Sequence, residues 1–157
     1  MNEVISYAEA FQDIFVLKCF KYKKNGTFLE IGAGDPIKGS NTYLLEKEYN
    51  WKGLSMDYGY VEWSDDVIIT CNGMNFSRSN YHSYWIKEWN KHRTTPLLMD
   101  DALSCDWLSI IHNNFPTLSN KKPTIDYLQV DIDPAENTWE CLNRIPFDSV
   151  DFNVITY

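Results

Sequence analysis

Thr27-Phe28-Leu29-Glu30-Ile31-Gly32-Ala33-Gly34-Asp35 is the stretch that decides how this chain folds. A β-rich run carries an acid near its end, and two glycines one residue apart follow. A helix-forming stretch over residues 40–49 comes next. In a parallel α/β sheet, this is how a first strand delivers its backbone to a nucleotide-like ligand. Glycine lets the chain turn sharply, and a missing Cβ allows close approach. Many βα turns carry Gly-x-Gly for steric reasons alone, so at this point both readings stand.

The residues around the glycines narrow the choice. A dinucleotide fingerprint needs a third glycine three residues after the second, where this chain has Ile37. A P-loop needs Gly-Lys-Ser/Thr at the helix start, which is absent. Glu30, just before the glycines, would repel a pyrophosphate and would suit a cationic ligand. S-adenosylmethionine, with a sulfonium, an ammonium and no phosphate, meets that description.

At 157 residues and 44% hydrophobic, the chain suits one globular domain with a real core. An aromatic content of 15% argues against disorder. A net charge of −8 disfavours a duplex nucleic-acid binder, whose affinity comes from Lys and Arg on phosphates, and no nucleic-acid partner is expected. No apolar run approaches the roughly 18 residues of a membrane span, so no membrane partner is expected. Glu3 and the lack of a basic n-region argue against a signal peptide, and a cytoplasmic location is expected. Cys19, Cys71, Cys105 and Cys141 are widely separated without C-x-x-C, which predicts buried free thiols and no zinc site.

Along the chain, Ser6 is expected to cap a helix running to about Tyr22, with Phe11, Ile14, Phe15, Leu17 and Cys19 on its apolar face. Strand Thr27 to Ile31 leads through a loop to a helix capped by Ser40 or Asn41, with Tyr43, Leu44, Leu45 and Tyr49 as its stripe. Strand Gly53 to Met56 is closed by Asp57, where a ribose would sit and where a carboxylate can accept two hydroxyl protons. Residues 58–84 read as an insertion holding a short strand, Val67 to Thr70. Then come a helix over Tyr84 to Arg93, a strand at Pro96 to Met99 ending in Asp100-Asp101-Ala102, and a helix over Asp106 to Asn113. Strand Ile125 to Val130 ends at Asp131-Ile132-Asp133-Pro134, a helix runs from Ala135 to Leu142, and Phe152 to Tyr157 is a last strand. Strands alternating with helices at this spacing predict an α/β fold: a mostly parallel sheet with helices on both faces.

Several of these segments together resemble FkbM-type methyltransferases, a branch of the class I S-adenosylmethionine-dependent enzymes. The matching residues are Gln12-Asp13 with Phe15-Val16, Gly26 through Ala33, Ser40-Asn41-Thr42, and Trp51-Lys52-Gly53-Leu54. Asp101-Ala102, Ile125 through Leu128, and Asp131-Ile132-Asp133 complete the set. The resemblance implies one methyltransferase-like domain over 1–157, Rossmann-like, with strand order 3-2-1-4-5, a helical segment at 1–24 and an insertion at 58–84. The family's sixth and seventh strands have no counterpart here, so a C-terminally trimmed fragment is expected. Glu30, Gly32, Ala33 and Gly34 resemble the first cofactor motif, and Asp57 the ribose ligand. Asp101 resembles the acceptor for the adenine amino group, with the Ala102 N–H serving a ring nitrogen. Asp131 resembles the motif residue beside the transferred methyl. Asp133-Pro134 departs from the Asp-x-Glu-Gly of many relatives. The implied cofactor is S-adenosylmethionine, and the implied acceptor a small molecule or glycan carrying a hydroxyl; a homo-oligomer is left open.

For the chemistry, Asp131 and Asp133 are the candidate bases, with His82 and His92 as further candidates that read better as structural. Asp131, Asp133 and Glu136 lie close enough in sequence to suggest Mg²⁺ or Ca²⁺, but Pro134 breaks the strand between them. Glu136 reads as a first-turn helix acid, and no metal is expected. Tyr58, Tyr60, Trp63, Phe76, Tyr81, Tyr84, Trp85 and Trp89 form an aromatic set that fits an acceptor pocket and surface packing equally well. A non-catalytic binding module and an NAD-type oxidoreductase are the rival readings.

Overall fold

The computed structural model describes residues 4–58, 69–71, 73–117 and 121–157. In chain order the elements are α1 (Gln12–Cys19), β1 (Thr27–Ile31), α2 (Tyr43–Tyr49), β2 (Lys52–Asp57), β3 (Ile69–Cys71), β4 (Met74–Phe76), α3 (Arg78–His92), β5 (Leu97–Met99), α4 (Trp107–Asn114), β6 (Thr124–Val130), α5 (Ala135–Arg144) and β7 (Asp151–Thr156). Five strands form one sheet in the order β5-β2-β1-β6-β7, and every pairing in it is parallel. Counted over all strands this is 5-2-1-6-7 and not the expected 3-2-1-4-5. The difference is the antiparallel hairpin β3–β4, which turns at Gly73 (φ 75°) and takes two numbers while staying out of the sheet. Of the expected strand at Val67 to Thr70, Val67 and Ile68 lie outside the described residues.

Side chains alternate across the strands, and helices cover both faces. Leu29, Ile31, Leu54, Met56, Leu128 and Val130 point to one face, where they meet Trp107 and Ile111 of α4 and Cys141 of α5. Phe28 and Tyr127 point to the other and meet Val16 and Leu17 of α1, Leu44 and Leu45 of α2, and Trp51. Register sets Glu30 beside Ser55 and Gln129, so these polar residues share that second face. All three are buried, because a sheet covered on both sides leaves its central strands no wet face.

Several boundaries differ from expectation. The first helix begins only at Gln12, because Asp13 is buried and gathers the preceding segment around itself. Its carboxylate accepts from the Ser6 hydroxyl at 2.6 Å and from the N–H groups of Tyr7 and Ile14 at 2.8 and 2.7 Å. Ser6 is therefore a ligand of Asp13 and not a helix cap. The buried face of α1 is Asp13, Val16 and Leu17, while Phe11, Phe15 and Cys19 are exposed. Ser40 lies before α2 and its hydroxyl accepts from the Thr42 and Tyr43 N–H groups, a capping arrangement. Helix α3 starts at Arg78, six residues before the expected Tyr84. Asp106 caps α4 through the Ser109 N–H, and β1, β6, α5 and β7 fall within two residues of expectation. Of the cysteines, Cys141 is buried and Cys105 half-buried; burial pushes both thiols up to about 12, so they remain protonated. The Cys71 side chain lies outside the described set. Among the described residues no helix is long and apolar enough to cross a membrane.

Replacing Asp13 by alanine strands the four donors of Ser6, Tyr7, Ala8 and Ile14 that its carboxylate now satisfies, each hydrogen bond to such a group contributing about 1.5–3 kcal/mol. The expected outcome is a loss of about 3 kcal/mol in chemical denaturation together with early proteolytic cleavage within 4–11.

Candidate functional site

Because the strands are parallel, their carboxyl ends share one edge. Gly32 follows β1, Asp57 ends β2, Asp100 and Asp101 follow β5, and Asp131 follows β6. The ladder runs on past the strands: the Asp131 N–H donates to the Ile31 carbonyl at 3.0 Å, and the Asp100 N–H to the Asp57 carbonyl at 3.1 Å. Strand order reverses between β1 and β6, and at such switch points open α/β sheets bind ligands. With strands about 4.8 Å apart, the tips from β5 to β6 span about 15 Å, the scale of a nucleoside with a short side chain.

The two glycines divide the work. Gly32 (φ +76°) has no room for a side chain, since a Cβ there would lie 1.7 Å from the Asp131 carbonyl oxygen. Its N–H and that of Ala33 donate to the Met56 carbonyl at 3.0 and 3.1 Å, and Ala33 is buried against Trp89. Gly34 (φ +55°) is exposed and meets no atom within 4 Å, while its N–H donates to Asp57 Oδ2 at 2.8 Å. Gly32 answers to the fold, and Gly34 faces open space.

Glu30 does not join this edge. Its carboxylate is 1% exposed, accepts from the Ser55 hydroxyl at 2.6 Å and lies 4.0 Å from the Arg93 guanidinium. Burial pushes its pKa above the ordinary carboxylate value, against the pull of Arg93 and of the Ser55 and Thr42 hydroxyls. The reason is parity: Glu30 is the fourth residue of a strand whose side chains are covered on both faces, so it points under α2 and not past the tip.

Asp57 is half-buried beside Gly34. Both Asp101 oxygens hold their own turn, Oδ1 accepting from the Leu103 N–H and Oδ2 from the Ser104 hydroxyl, each at 2.9 Å. Ala102 is buried, and its carbonyl accepts from Trp107 Nε1 at 3.0 Å, which fixes the backbone at that tip. Asp131 is exposed; burial of part of its surface and the neighbouring Asp133 and Glu9 carboxylates raise its pKa. Asp133 and Glu136 are also exposed, Asp133 just before a cis Pro134 and Glu136 in the first turn of α5. Among the described residues, no group of three or more His, Cys, Asp or Glu side chains is placed to hold a metal ion. His82 belongs to the first turns of α3 and His92 to its last, beyond which the chain turns to enter β5, so the edge does not gather the two.

The aromatic set also separates. Trp89 is fully buried, its Nε1 donating to the Thr95 carbonyl at 2.7 Å, and Tyr81 is buried and stacked on Trp85. Trp89 packs with Ala33 and Leu97, with Trp85 against them, and so seats α3 on the loop after β1. Tyr60 and Trp63, and the Phe76 side chain, lie outside the described set.

Sequence reading missed Arg93 and Glu46, both buried. Burial pushes the Glu46 carboxyl up, but the Arg93 guanidinium and the Thr94 N–H outweigh it and hold the group at about 2. The available signal was an arginine between a helix and Thr94-Thr95-Pro96, in a chain with eleven lysines and three arginines. The chain matches no protein-family model, no curated protein and no solved structure.

Gly32→Ala is expected to lower stability by about 3 kcal/mol, from overpacking plus left-handed backbone strain, and Gly34→Ala by only about 1 kcal/mol from strain; denaturant midpoints check both. The two buried acids give opposite pH slopes. Glu46, ordinarily at 4.5, contributes stability fully present above 4.5 and lost as pH falls toward about 2. Glu30 holds its proton more tightly folded than unfolded, so its contribution declines as pH rises from 4.5 through its raised value. Glu30→Gln should remove the second slope and leave the first in a pH series of denaturation midpoints.

Proposed function

We propose that this chain binds S-adenosylmethionine across the carboxyl edge of its sheet and directs the methyl group to a hydroxyl of a sugar-like or secondary-metabolite acceptor. The observation that carries the reading is the open backbone at Gly34 tied to Asp57, with Asp101 and Asp131 at neighbouring strand tips. The FkbM-type resemblance of the same segments adds to it.

Charge distribution favours a cation over a phosphate. The tips carry Asp35, Asp57, Asp100, Asp101, Asp131 and Asp133. The amides of Ile37 and Lys38, which a pyrophosphate would seek on the way to α2, already donate to Asp35 Oδ1 at 2.8 Å each. A dinucleotide would meet a carboxylate where it needs donors.

S-adenosylmethionine would supply a methyl group activated by its sulfonium. The protein's share is placement and electrostatics. A carboxylate offers about four lone-pair sites, so Asp57 can accept ribose hydroxyls while holding the Gly34 N–H. Asp101 can accept from an adenine amino group from within a turn that fixes its position, beside the Ala102 backbone. Asp131 stabilises positive charge near the switch point, and Asp131 or Asp133 takes the acceptor's proton, a role contributing about 10²- to 10⁴-fold. A second reading, a binding module without turnover, is favoured by Glu30, the acid of the glycine motif, being turned into the core.

Calorimetry with S-adenosylhomocysteine tests binding, and a labelled-methyl assay on hydroxyl acceptors separates the two readings. Asp57→Ala and Asp101→Ala are each expected to weaken binding about tenfold, the loss of one or two hydrogen bonds; Gly34→Val is expected to do so more strongly through contact with the ligand. Unchanged affinity in all three sinks the reading. Because Asp131 titrates above its ordinary value, preference for the sulfonium over the thioether should grow as pH rises through that raised value, and should be flat in Asp131→Asn.

A further inference from the structure

Buried beneath the β1–α2 loop, Arg93 makes contacts that reach beyond its own helix. Four of its five N–H donors are in hydrogen bonds. Nε donates to Glu46 Oε2 in α2, Nη1 to the Pro36 carbonyl at 3.2 Å and the Ser40 hydroxyl at 3.1 Å, and Nη2 to the Thr42 hydroxyl at 2.8 Å. The guanidinium carbon lies 4.7 Å from the centre of the Trp89 ring, and Nη2 is 4.0 Å from Glu30. Three of the four bonds therefore fall on residues 36–42, the second half of the loop that begins with Gly32 and Gly34. The first half is fixed from the other side, by Gly34 on Asp57 and by Ala33 against Trp89.

We infer that Arg93 is a positioning residue for the strand-edge site: its planar fork sets the shape of the loop over 36–42, and thereby the placement of the Gly34 backbone that the ligand meets. The inference rests on the proposed reading of that edge as a ligand site. It assigns α3 a purpose as well, since its last turn and C-cap bring Trp89 and Arg93 to the loop. Lysine could pair with one carboxylate but has no rigid fork to span a carbonyl and two hydroxyls. Small displacements of positioning groups lower binding and rate far out of proportion to their distance from the chemistry.

The test uses the 157-residue chain and its Arg93→Lys variant, read by amide hydrogen exchange without ligand and by calorimetry with S-adenosylhomocysteine. Expected are amides at 37–43 exchanging about tenfold faster, with those of Leu29, Leu54 and Leu128 unchanged, and affinity about tenfold weaker in the folded variant. If Arg93 only neutralises Glu30 and Glu46, lysine rescues both readouts and the inference fails. It also fails if every amide speeds up together. Should Arg93→Lys not fold, Thr42→Val removes one loop-side acceptor, leaves the Arg93–Glu46 pair in place, and carries the same expectations. If the unaltered chain binds no S-adenosylhomocysteine, the ligand reading falls, and with it the claim on ligand affinity. Local acceleration at 37–43 would then still support Arg93 as the residue that shapes the loop.

Discussion

Two carboxylates are buried on the same face of a parallel sheet, Glu30 on its central strand and Glu46 on the helix that follows, with the Arg93 guanidinium between them and the Lys47 ammonium 3.5 Å from Glu46. Charges taken out of water are tolerated only when paired and hydrogen-bonded, and removing one partner of such a set is strongly destabilising. Arg93 meets the demand unequally. It bonds Glu46 directly, which stays ionised, and stands 4.0 Å from Glu30, which holds its proton more tightly than usual. The arrangement ties three elements that are remote in sequence: β1, the loop leading into α2, and the end of α3. The glycine loop thus owes its form to a charge balance beneath it.

That balance explains why α3 is part of the frame of the loop. Trp89 closes over Ala33 and Leu97, one turn of helix before Arg93 reaches under the same loop. Apolar burial brings α3 to the sheet, and the fork then fixes which loop conformation it meets. The first term is nondirectional; the second is directional. Together they specify a position that neither would alone.

Much of the fold was legible in the sequence because the signals were local. Alternating strand and helix patterns located β1, β2, β5, β6 and β7, and the side-chain acceptor at Ser40 marked where a helix begins. What escaped depended on partners far along the chain. The stripe read on the first helix counted Phe11, Phe15 and Cys19 as inward because they are apolar, whereas Asp13 takes the inward place by collecting donors from Ser6, Tyr7 and Ile14. Glu30 was read as a ligand contact because it precedes the glycines. Parity within a strand covered on both faces would have placed it inside, in need of a partner 63 positions downstream. At the edge, Asp57 and Asp131 could be placed at strand ends from sequence because where a strand stops is a local signal.

The electrostatic case for a cationic ligand survives the loss of Glu30 in a different form. A buried acid paired with a guanidinium projects little field into the edge, so it cannot select the charge of what binds there. The strand-end aspartates lie at or near the surface, where their field reaches the edge. Partial burial first, and then the neighbouring Asp133 and Glu9 carboxylates, raise the pKa of Asp131, and a positive charge brought beside it would offset both. On the proposed reading, selection between sulfonium and phosphate would rest on the row of carboxyl-edge acids and on Asp35 occupying the loop amides, with Gly34 as the unobstructed backbone against which either choice would be made.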